Sequence, residues 1–180
     1  MPEIRPNNLP AADAAMFPTA QCWGVAWTKP RCERKLQDYF ATRGVPCFLP
    51  TVARRQVYKS GAKTWSTPLF PGYVFYDCGA IERLDIFASR KVVELIVPPD
   101  SQALGFELRQ IALALEKDSA LREVRFGQSG QPVVVVRGPL KGLRGELLRT
   151  GSNCHLILKV HFLGKAAELA IDESCVEAEH

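Results

Sequence analysis

An aromatic segment with a break in its middle constrains this chain most. Residues 68–76 are Pro-Leu-Phe-Pro-Gly-Tyr-Val-Phe-Tyr, which predicts a β-strand over 69–76. Pro71 has no backbone N–H and Gly72 has no side chain, so the pair predicts a bulge or bend within the strand. Alternation separates Phe70 from Pro71 and Tyr73. Either these aromatic residues are all core, or one face of the segment is available to a partner.

Strand and helix signals surround this segment. Apolar residues 22–28 predict a strand, and Pro30 is expected to begin a helix that ends at Gly44. Gly44 is expected to cap the C-terminus of this helix in the left-handed backbone conformation. Residues 45–50 predict a second strand. The polar, basic stretch 54–67, centred on Ser60-Gly61, predicts a protruding hairpin or a long loop.

Three further elements are expected before the C-terminal third of the chain. Residues 81–88 predict a short helix, and the β-branched run 92–97 predicts a strand buried on both faces. A helix is then predicted, with one face that carries Leu108, Ile111, Ala112 and Leu115. We expect this helix to be the last element of a first domain.

The C-terminal third has the pattern of a small barrel. Residues 126–132 have the glycine and polar content of a linker, and four short strands are predicted at 133–136, 146–149, 155–162 and 168–171. In the third strand, the face with Leu156, Leu158, Val160 and Phe162 is expected to enter a core. The face with His155, Ile157, Lys159 and His161 is expected largely to meet water.

Composition indicates a globular protein without a membrane span. The 180 residues are 47% hydrophobic, yet they contain no continuous apolar run long enough for a bilayer. The first 17 residues have no continuous apolar stretch, so we expect no secretory signal. The first 18 residues, with Asn7, Asn8 and repeated Pro and Ala, are expected to form a flexible arm. The six cysteines form no C-x-x-C pair, so we expect reduced, mostly buried thiols in a cytoplasmic protein and no disulfide framework or zinc site.

Catalytic motifs are not found. His155 and His161 are predicted on a solvent-facing strand surface, and Cys154 and His155 point to opposite strand faces as sequence neighbours. We therefore expect no enzyme activity, cofactor or metal. A cysteine-dependent enzyme remains an alternative, and it would need a thiol of low pKa.

The segment 138–145 is rich in glycine. Its spacing does not match a phosphate-binding loop and a strand follows it, so a tight turn between strands is expected. Leu140 and Leu143 are unusual for an exposed loop. They either mark a binding surface or fold back on the core.

Positive charge is concentrated in the first half of the chain, where residues 19–100 hold twelve Lys or Arg against seven acids. Two groups stand out: the hairpin residues Arg54, Arg55, Lys59 and Lys63, and Lys29, Arg31 and Arg34 near the first helix. They either form a solvated face or contact phosphate groups, with an affinity that falls as salt rises.

Together, these segments resemble the NusG superfamily of transcription elongation factors. The resemblance covers about residues 21–177 and is carried by Trp23-Gly-Val-Ala-Trp-Thr28, Lys29-Pro-Arg-Cys-Glu33, Phe48-Leu-Pro50, Leu69-Phe-Pro-Gly-Tyr-Val-Phe75, residues 127–147 and Phe162-Leu-Gly-Lys165. It implies an α+β fold: an N-terminal α/β sandwich with a four-stranded, mainly antiparallel sheet, then a small SH3-like KOW β-barrel. The expected organisation is an arm (1–20), an N-terminal domain (21–118), a linker (119–131) and a KOW domain (132–180).

The resemblance also implies partners. The first domain would bind the clamp helices of the largest subunit of bacterial RNA polymerase, stabilise the closed elongating enzyme and suppress pausing or termination. The matching positions are Trp27, Phe70, Pro71, Tyr73 and Leu95. The KOW domain would recruit a second factor, such as ribosomal protein S10 or termination factor Rho, through Leu140, Leu143, Phe162 and Leu163.

Within the superfamily, residues 55–59 and 66–73 look closer to the specialised RfaH and UpxY-like antiterminators. Such paralogues read non-template DNA, and Lys29, Arg31, Arg34 and Arg90 are the matching positions for that contact. In contrast to the helical second domain of RfaH, the β-branched run 133–136 predicts strands here. We expect a monomer. The alternative function is a ribosome-associated KOW protein that binds RNA through its basic face.

Overall fold

The computed structural model describes residues 22–58, 61–117, 120–127 and 130–179. The expected N-terminal arm and Lys59 lie outside these residues. The strands are β1 (Trp23–Thr28), β2 (Cys47–Phe48), β3 (Thr51–Tyr58), β4 (Gly61–Pro68), β5 (Tyr73–Asp77), β6 (Val92–Ile96), β7 (Arg122–Arg125), β8 (Gln131–Val135), β9 (Arg144–Thr150), β10 (Asn153–Val160), β11 (Lys165–Ala170) and β12 (Val176–Ala178). The α-helices are α1 (Glu33–Thr42), α2 (Arg83–Ala88) and α3 (Ser101–Lys117), and 3-10 turns span His161–Leu163 and Glu173–Cys175.

The first sheet is an antiparallel layer between helices. Its order is β2-β5-β1-β6, and each pairing is antiparallel, as expected. One face carries Ala26 and Val74, which belong to a core with residues of α1 and α2. The other face carries Val25 and Phe75, which belong to a core with α3. Gly105 lets α3 approach this face closely, because a Cβ there would lie 2.9 Å from Cδ1 of Trp23.

The helix predictions are confirmed at their apolar faces. In α3, the four predicted residues Leu108, Ile111, Ala112 and Leu115 are all buried. Helix α1 ends just before Gly44, whose φ of +65° is the left-handed conformation expected of its cap.

Strand β6 differs from the prediction. It was expected to be buried on both faces, but it lies at the edge of the sheet. Val93 is 48% exposed and Val97, just beyond the strand, is 66% exposed. A run of β-branched residues predicts a strand, but it does not distinguish an edge strand from a central one.

The aromatic segment bends as its proline and glycine predicted. Strand β4 ends at Pro68 and β5 begins at Tyr73, with Gly72 at a φ of +88° between them. The N–H of Gly72 donates to a carboxylate oxygen of Glu33 at 2.8 Å. The carbonyl of Gly72 accepts from the N–H of Thr28, also at 2.8 Å. Helix α1 and strand β1 therefore both hold the bend.

Strands β3 and β4 form the predicted hairpin. Their pairing runs without interruption from Thr51 opposite Pro68 to Tyr58 opposite Gly61. Val52 at its base is buried in the core, whereas the described residues from Arg54 to Trp65 are exposed. The hairpin therefore projects from the first sheet.

The second sheet contains all four predicted strands, and the described C-terminal residues contain no α-helix. Its order in the described chain is β12-β8-β9-β10-β11-β7, and its pairings are antiparallel. Strand β7 lies within the expected linker, 119–131, and pairs with β11. The linker prediction is therefore wrong for β7. Ile157, expected to meet water, is buried, because both faces of β10 are covered at that point.

Helix α3 joins the two sheets. Gln110 accepts a hydrogen bond from the N–H of Arg144 at 2.8 Å, and Glu107 lies 2.6 Å from Nδ1 of His161. A single core also extends from Trp23 in the first sheet to Leu169 in the second. The two parts are therefore in contact.

Cys22 and Cys78 form a disulfide, with Cα atoms 5.4 Å apart. This corrects the expectation that all six thiols are reduced. Cys22 precedes β1 and Cys78 follows β5, and the last paired residues are Trp23 and Asp77. Antiparallel pairing therefore brings together two cysteines that are 56 residues apart in sequence.

Across the described residues, no helix is long and apolar enough to cross a membrane.

Candidate functional site

An exposed aromatic surface lies at one end of the first sheet. Trp27 of β1 is paired directly with Tyr73 of β5, so the two side chains leave the same face. Trp27 is 42% exposed, Tyr73 is half-buried and Pro71 is exposed. We call these three residues the Trp27 surface. Gly72 lies beside this surface, since a Cβ at Gly72 would lie 3.5 Å from Cδ1 of Trp27. The bend therefore packs directly against the indole ring.

Two residues expected on this surface are buried elsewhere. Phe70 is 1% exposed and belongs to the core beneath α3. Leu95 is 5% exposed and is paired with Ala26, which places it on the opposite face of the sheet from Trp27. The expectation that Phe70 and Leu95 are presented to a partner is therefore corrected for this conformation. For Leu95 the physical reason is alternation along β6. Phe70 lies in neither strand but in the chain just before the bend at Pro71-Gly72, where its side chain enters the core.

The second sheet approaches the Trp27 surface from one side. The ammonium group of Lys165 lies 5.8 Å from the ring centroid of Tyr73, within cation–π range. Lys165 is held there by an ion pair with Glu123 at 2.9 Å. Tyr73 therefore contacts the C-terminal part of the chain, while Trp27 remains open.

A first cluster of the predicted cations lies beside the end of β1. The N–H of Lys29 donates to the carbonyl of Lys91 at 2.8 Å, which brings the Lys29–Arg31 turn next to Arg90. Arg31 and Arg90 have φ values of +59° and +60°. This left-handed conformation is unfavourable for residues with a Cβ, and both side chains are exposed. The structure thus brings Lys29, Arg31 and Arg90 together.

The second cluster of cations belongs to the hairpin. Arg54, Arg55 and Lys63 are exposed, and residues 51–68 contain no Asp or Glu. Arg34 of α1 connects the clusters, since its guanidinium donates to the carbonyl of Ser66 at 3.1 Å. We call the described members of these two clusters, together with Arg34, the basic side of the first domain.

The four residues predicted to bind a partner of the KOW domain are less exposed than expected. Leu140 and Leu143 are buried, at 7% and 1%, and Phe162 and Leu163 are half-buried against the same core. The loop turns back because Gly142 adopts a φ of +94° and its N–H donates to Val135 at 2.8 Å. Of the two alternatives left open by the sequence, folding back on the core is the correct one for Leu140 and Leu143.

The Cys154 thiol is not activated. Its partial burial and the nearby Glu173 carboxylate raise the pKa of Cys154, which is the opposite of what a catalytic cysteine requires. His155 instead lies 4.0 Å from Glu168. No group of three His, Cys, Asp or Glu in the described part of the chain could hold a metal ion.

Two exposed aromatic residues were missed as site candidates. Tyr58 and Trp65 lie on the hairpin, 47% and 39% exposed, interleaved with its cations. A sequence signal for them exists: along a β-strand, side chains alternate between two faces with a period of two residues. Applied on both sides of Ser60-Gly61, this period shows which aromatic and cationic residues share a face.

One protein-family model matches part of the chain. Residues 21–104 match the NusG family, described as "Transcription termination factor nusG". The NusG match spans just under half of the chain and includes the Trp27 surface and both basic clusters. No curated protein matches the chain.

Two solved structures show distant likeness. One concerns domain interaction in Thermotoga maritima NusG: it is 17% identical, with a TM-score of 0.44, over 88% of this chain and 97% of that chain. The other is the MjSpt4:Spt5 complex in conformation B: it is 16% identical, with a TM-score of 0.28, over 88% of this chain and 98% of that chain.

Proposed function

We propose that this protein is a transcription elongation or antitermination factor that binds elongating RNA polymerase. The observation that carries the proposal is the NusG match over residues 21–104. The Trp27 surface, which lies inside the matched region, supports it. An exposed tryptophan beside a proline and a tyrosine is typical of a protein-binding hot spot.

The mechanism requires no catalysis. The Trp27 surface would bind the clamp helices of the largest subunit of the bacterial polymerase, and the rest of the domain would span the cleft. Binding the closed elongating state more tightly than the paused state would shift the enzyme towards elongation. Pausing and termination would then be suppressed without any chemical step on the factor.

The basic side of the first domain supports a contact with nucleic acid in the same complex. Lys29, Arg31 and Arg90 form one cluster there, and the hairpin cations form the second. In the proposed complex these cations contact the phosphates of the exposed non-template DNA strand, as in an RfaH- or UpxY-like specialised factor. Such contacts position a protein and make its affinity dependent on salt.

The C-terminal domain would recruit a second factor, such as ribosomal protein S10 or Rho. Since Leu140 and Leu143 are buried, Phe162 and Leu163 are the half-exposed apolar residues that remain for this contact. We place the protein in the cytoplasm as a monomer that carries this factor to the polymerase.

A transcript-elongation assay tests the proposal. Purified bacterial RNA polymerase would be followed through pause sites with no factor, with the wild-type protein and with a Trp27→Ala/Tyr73→Ala variant. The proposal predicts faster passage with the wild-type protein and loss of this effect in the variant. An unchanged pause lifetime, with no co-migration of protein and polymerase, would contradict it and favour the ribosome-associated RNA-binding alternative.

A further inference from the structure

The register of the β3–β4 hairpin sorts its side chains onto two different faces. Arg54 lies opposite Trp65, Gln56 opposite Lys63 and Tyr58 opposite Gly61. Side chains at directly opposed positions leave the same face, and so do alternate residues along a strand. Arg54, Gln56, Tyr58, Lys63 and Trp65 therefore share one face, which we call the Trp65 face.

The opposite face has a different composition. It carries Ala53, Arg55 and Val57 from β3, opposite Ser66, Thr64 and Ala62 from β4. It contains no aromatic residue. The hairpin thus concentrates both of its aromatic rings and two of its cations on one side.

Both aromatic rings of the Trp65 face are partly exposed in the described chain. Tyr58 is 47% exposed and Trp65 is 39% exposed, although both have large apolar rings. Arg54 and Lys63 form no ion pair with any described residue. Since residues 51–68 contain no acid, the charge of the face is complementary to a polyanion.

We propose that the Trp65 face binds single-stranded nucleic acid, with bases stacked on Tyr58 and Trp65 and phosphates contacting Arg54 and Lys63. The two aromatic positions are four residues apart along the hairpin, about 13 Å at the rise of a β-strand. Gln56 and Lys63 fill the interval. The hydroxyl of Tyr58 donates to Oε1 of Gln56 at 2.8 Å, which orients the ring on this face.

The aromatic rings select a single strand over a duplex. In a duplex the faces of the bases are stacked on each other, and only the phosphates and groove edges are accessible. An unpaired base offers its face to an aromatic side chain whatever its identity. Cations alone would suit either form, so Tyr58 and Trp65 make the distinction.

The inference deepens the nucleic-acid part of the proposed function and rests on it. It adds base stacking to phosphate contacts, and it assigns this contact to one hairpin face. Because the isolated protein can be tested without polymerase, failure of the inference is distinguishable from failure of polymerase binding.

The test is fluorescence anisotropy of labelled oligothymidine and oligouridine with the full-length protein. Trp65→Ala and Tyr58→Ala are each expected to weaken binding by about 5- to 150-fold, which is the range for loss of one stacked base. Val57→Ala is the matched control, because Val57 is 73% exposed on the opposite face, and it should bind like the wild type. Trp65→Phe should keep most of the affinity.

A second pair of variants tests the charge. Arg54 and Arg55 are neighbours of the same type on opposite faces. Arg54→Gln should weaken binding more than Arg55→Gln, and the affinity should fall as salt rises. The oligonucleotide that binds more tightly identifies the strand as DNA or RNA.

Three outcomes would overturn the inference. The first is wild-type affinity in both Trp65→Ala and Tyr58→Ala. The second is equal competition by a duplex. The third is no binding of either oligonucleotide while the same variants lose polymerase binding, which would make the Trp65 face a protein-docking surface. Unfolding midpoints should match the wild type, since both side chains are exposed.

Discussion

Trp27 and Tyr73 occupy directly paired positions of β1 and β5 and point from the same face of the sheet. Phe70, only three residues before Tyr73, lies in the core. The bend at Pro71-Gly72 separates these roles, because Phe70 belongs to the chain before the bend and Tyr73 to the strand after it. Burial in the core and partial exposure beside Trp27 therefore fall to different aromatic residues of one short segment.

Substitution of Phe70 should lower stability. Phe70→Ala leaves a cavity in the core, and the free energy of unfolding should fall by about 3–5 kcal/mol. The measurement is urea unfolding followed by circular dichroism. Phe106→Ala is the control, because Phe106 is 45% exposed and its truncation should change stability little. Equal effects of the two substitutions would show that Phe70 is not a core residue.

The disulfide predicts a specific thiol count. Alkylation of the denatured protein should label four cysteines without reductant and six after reduction, as counted by mass spectrometry. Cys22→Ser should lower the free energy of unfolding by about 2–4 kcal/mol under oxidising conditions, because the bond restricts the unfolded chain. Six labelled cysteines before reduction would show that Cys22 and Cys78 are not bonded.

Glu146 predicts a loss of stability in acid. Burial alone would raise the pKa of Glu146. The N–H of Gly130 and the ammonium group of Lys159 outweigh burial, and His161 adds a smaller effect in the same direction. The pKa of Glu146 is therefore lowered from its ordinary value of 4.5. Lys159 lies 2.7 and 2.8 Å from the two carboxylate oxygens. Because the folded pKa is the lower one, this stabilisation is present above pH 4.5 and is lost as the pH falls through the folded value.

Glu146→Gln should therefore flatten the dependence of unfolding free energy on pH below about 4.5, measured by denaturant titration at a series of pH values. Glu116→Gln, at an exposed position of α3, should leave the slope unchanged. A slope that is the same in Glu146→Gln and the wild type would show that this ion pair does not contribute to acid unfolding.

Local patterns predicted much of the fold. The apolar face of α3, the cap at Gly44, the bend at Pro71-Gly72 and the β3–β4 hairpin all depend on residues close together in sequence. Periodicity and the special conformations of proline and glycine are enough for such features. The basic side of the first domain was likewise visible as an excess of charge.

Features that depend on distant parts of the chain were not predictable. Whether Phe70 and Leu95 face a core or a partner depends on which strand face the helices cover. The Cys22–Cys78 bond depends on the register of β1 against β5. The burial of Leu140 depends on a core beneath its loop, which no local spacing reveals.

The most direct test of the account is the equilibrium dissociation constant of the protein with purified bacterial core RNA polymerase. Trp27→Ala should raise this constant at least about tenfold, the effect of removing an aromatic hot spot. Phe87→Ala is the matched control, because Phe87 is also 42% exposed but lies on α2, away from the Trp27 surface. Its affinity should equal that of the wild type. Unchanged binding of Trp27→Ala, or equal loss in Phe87→Ala, would contradict the assignment of polymerase binding to the Trp27 surface.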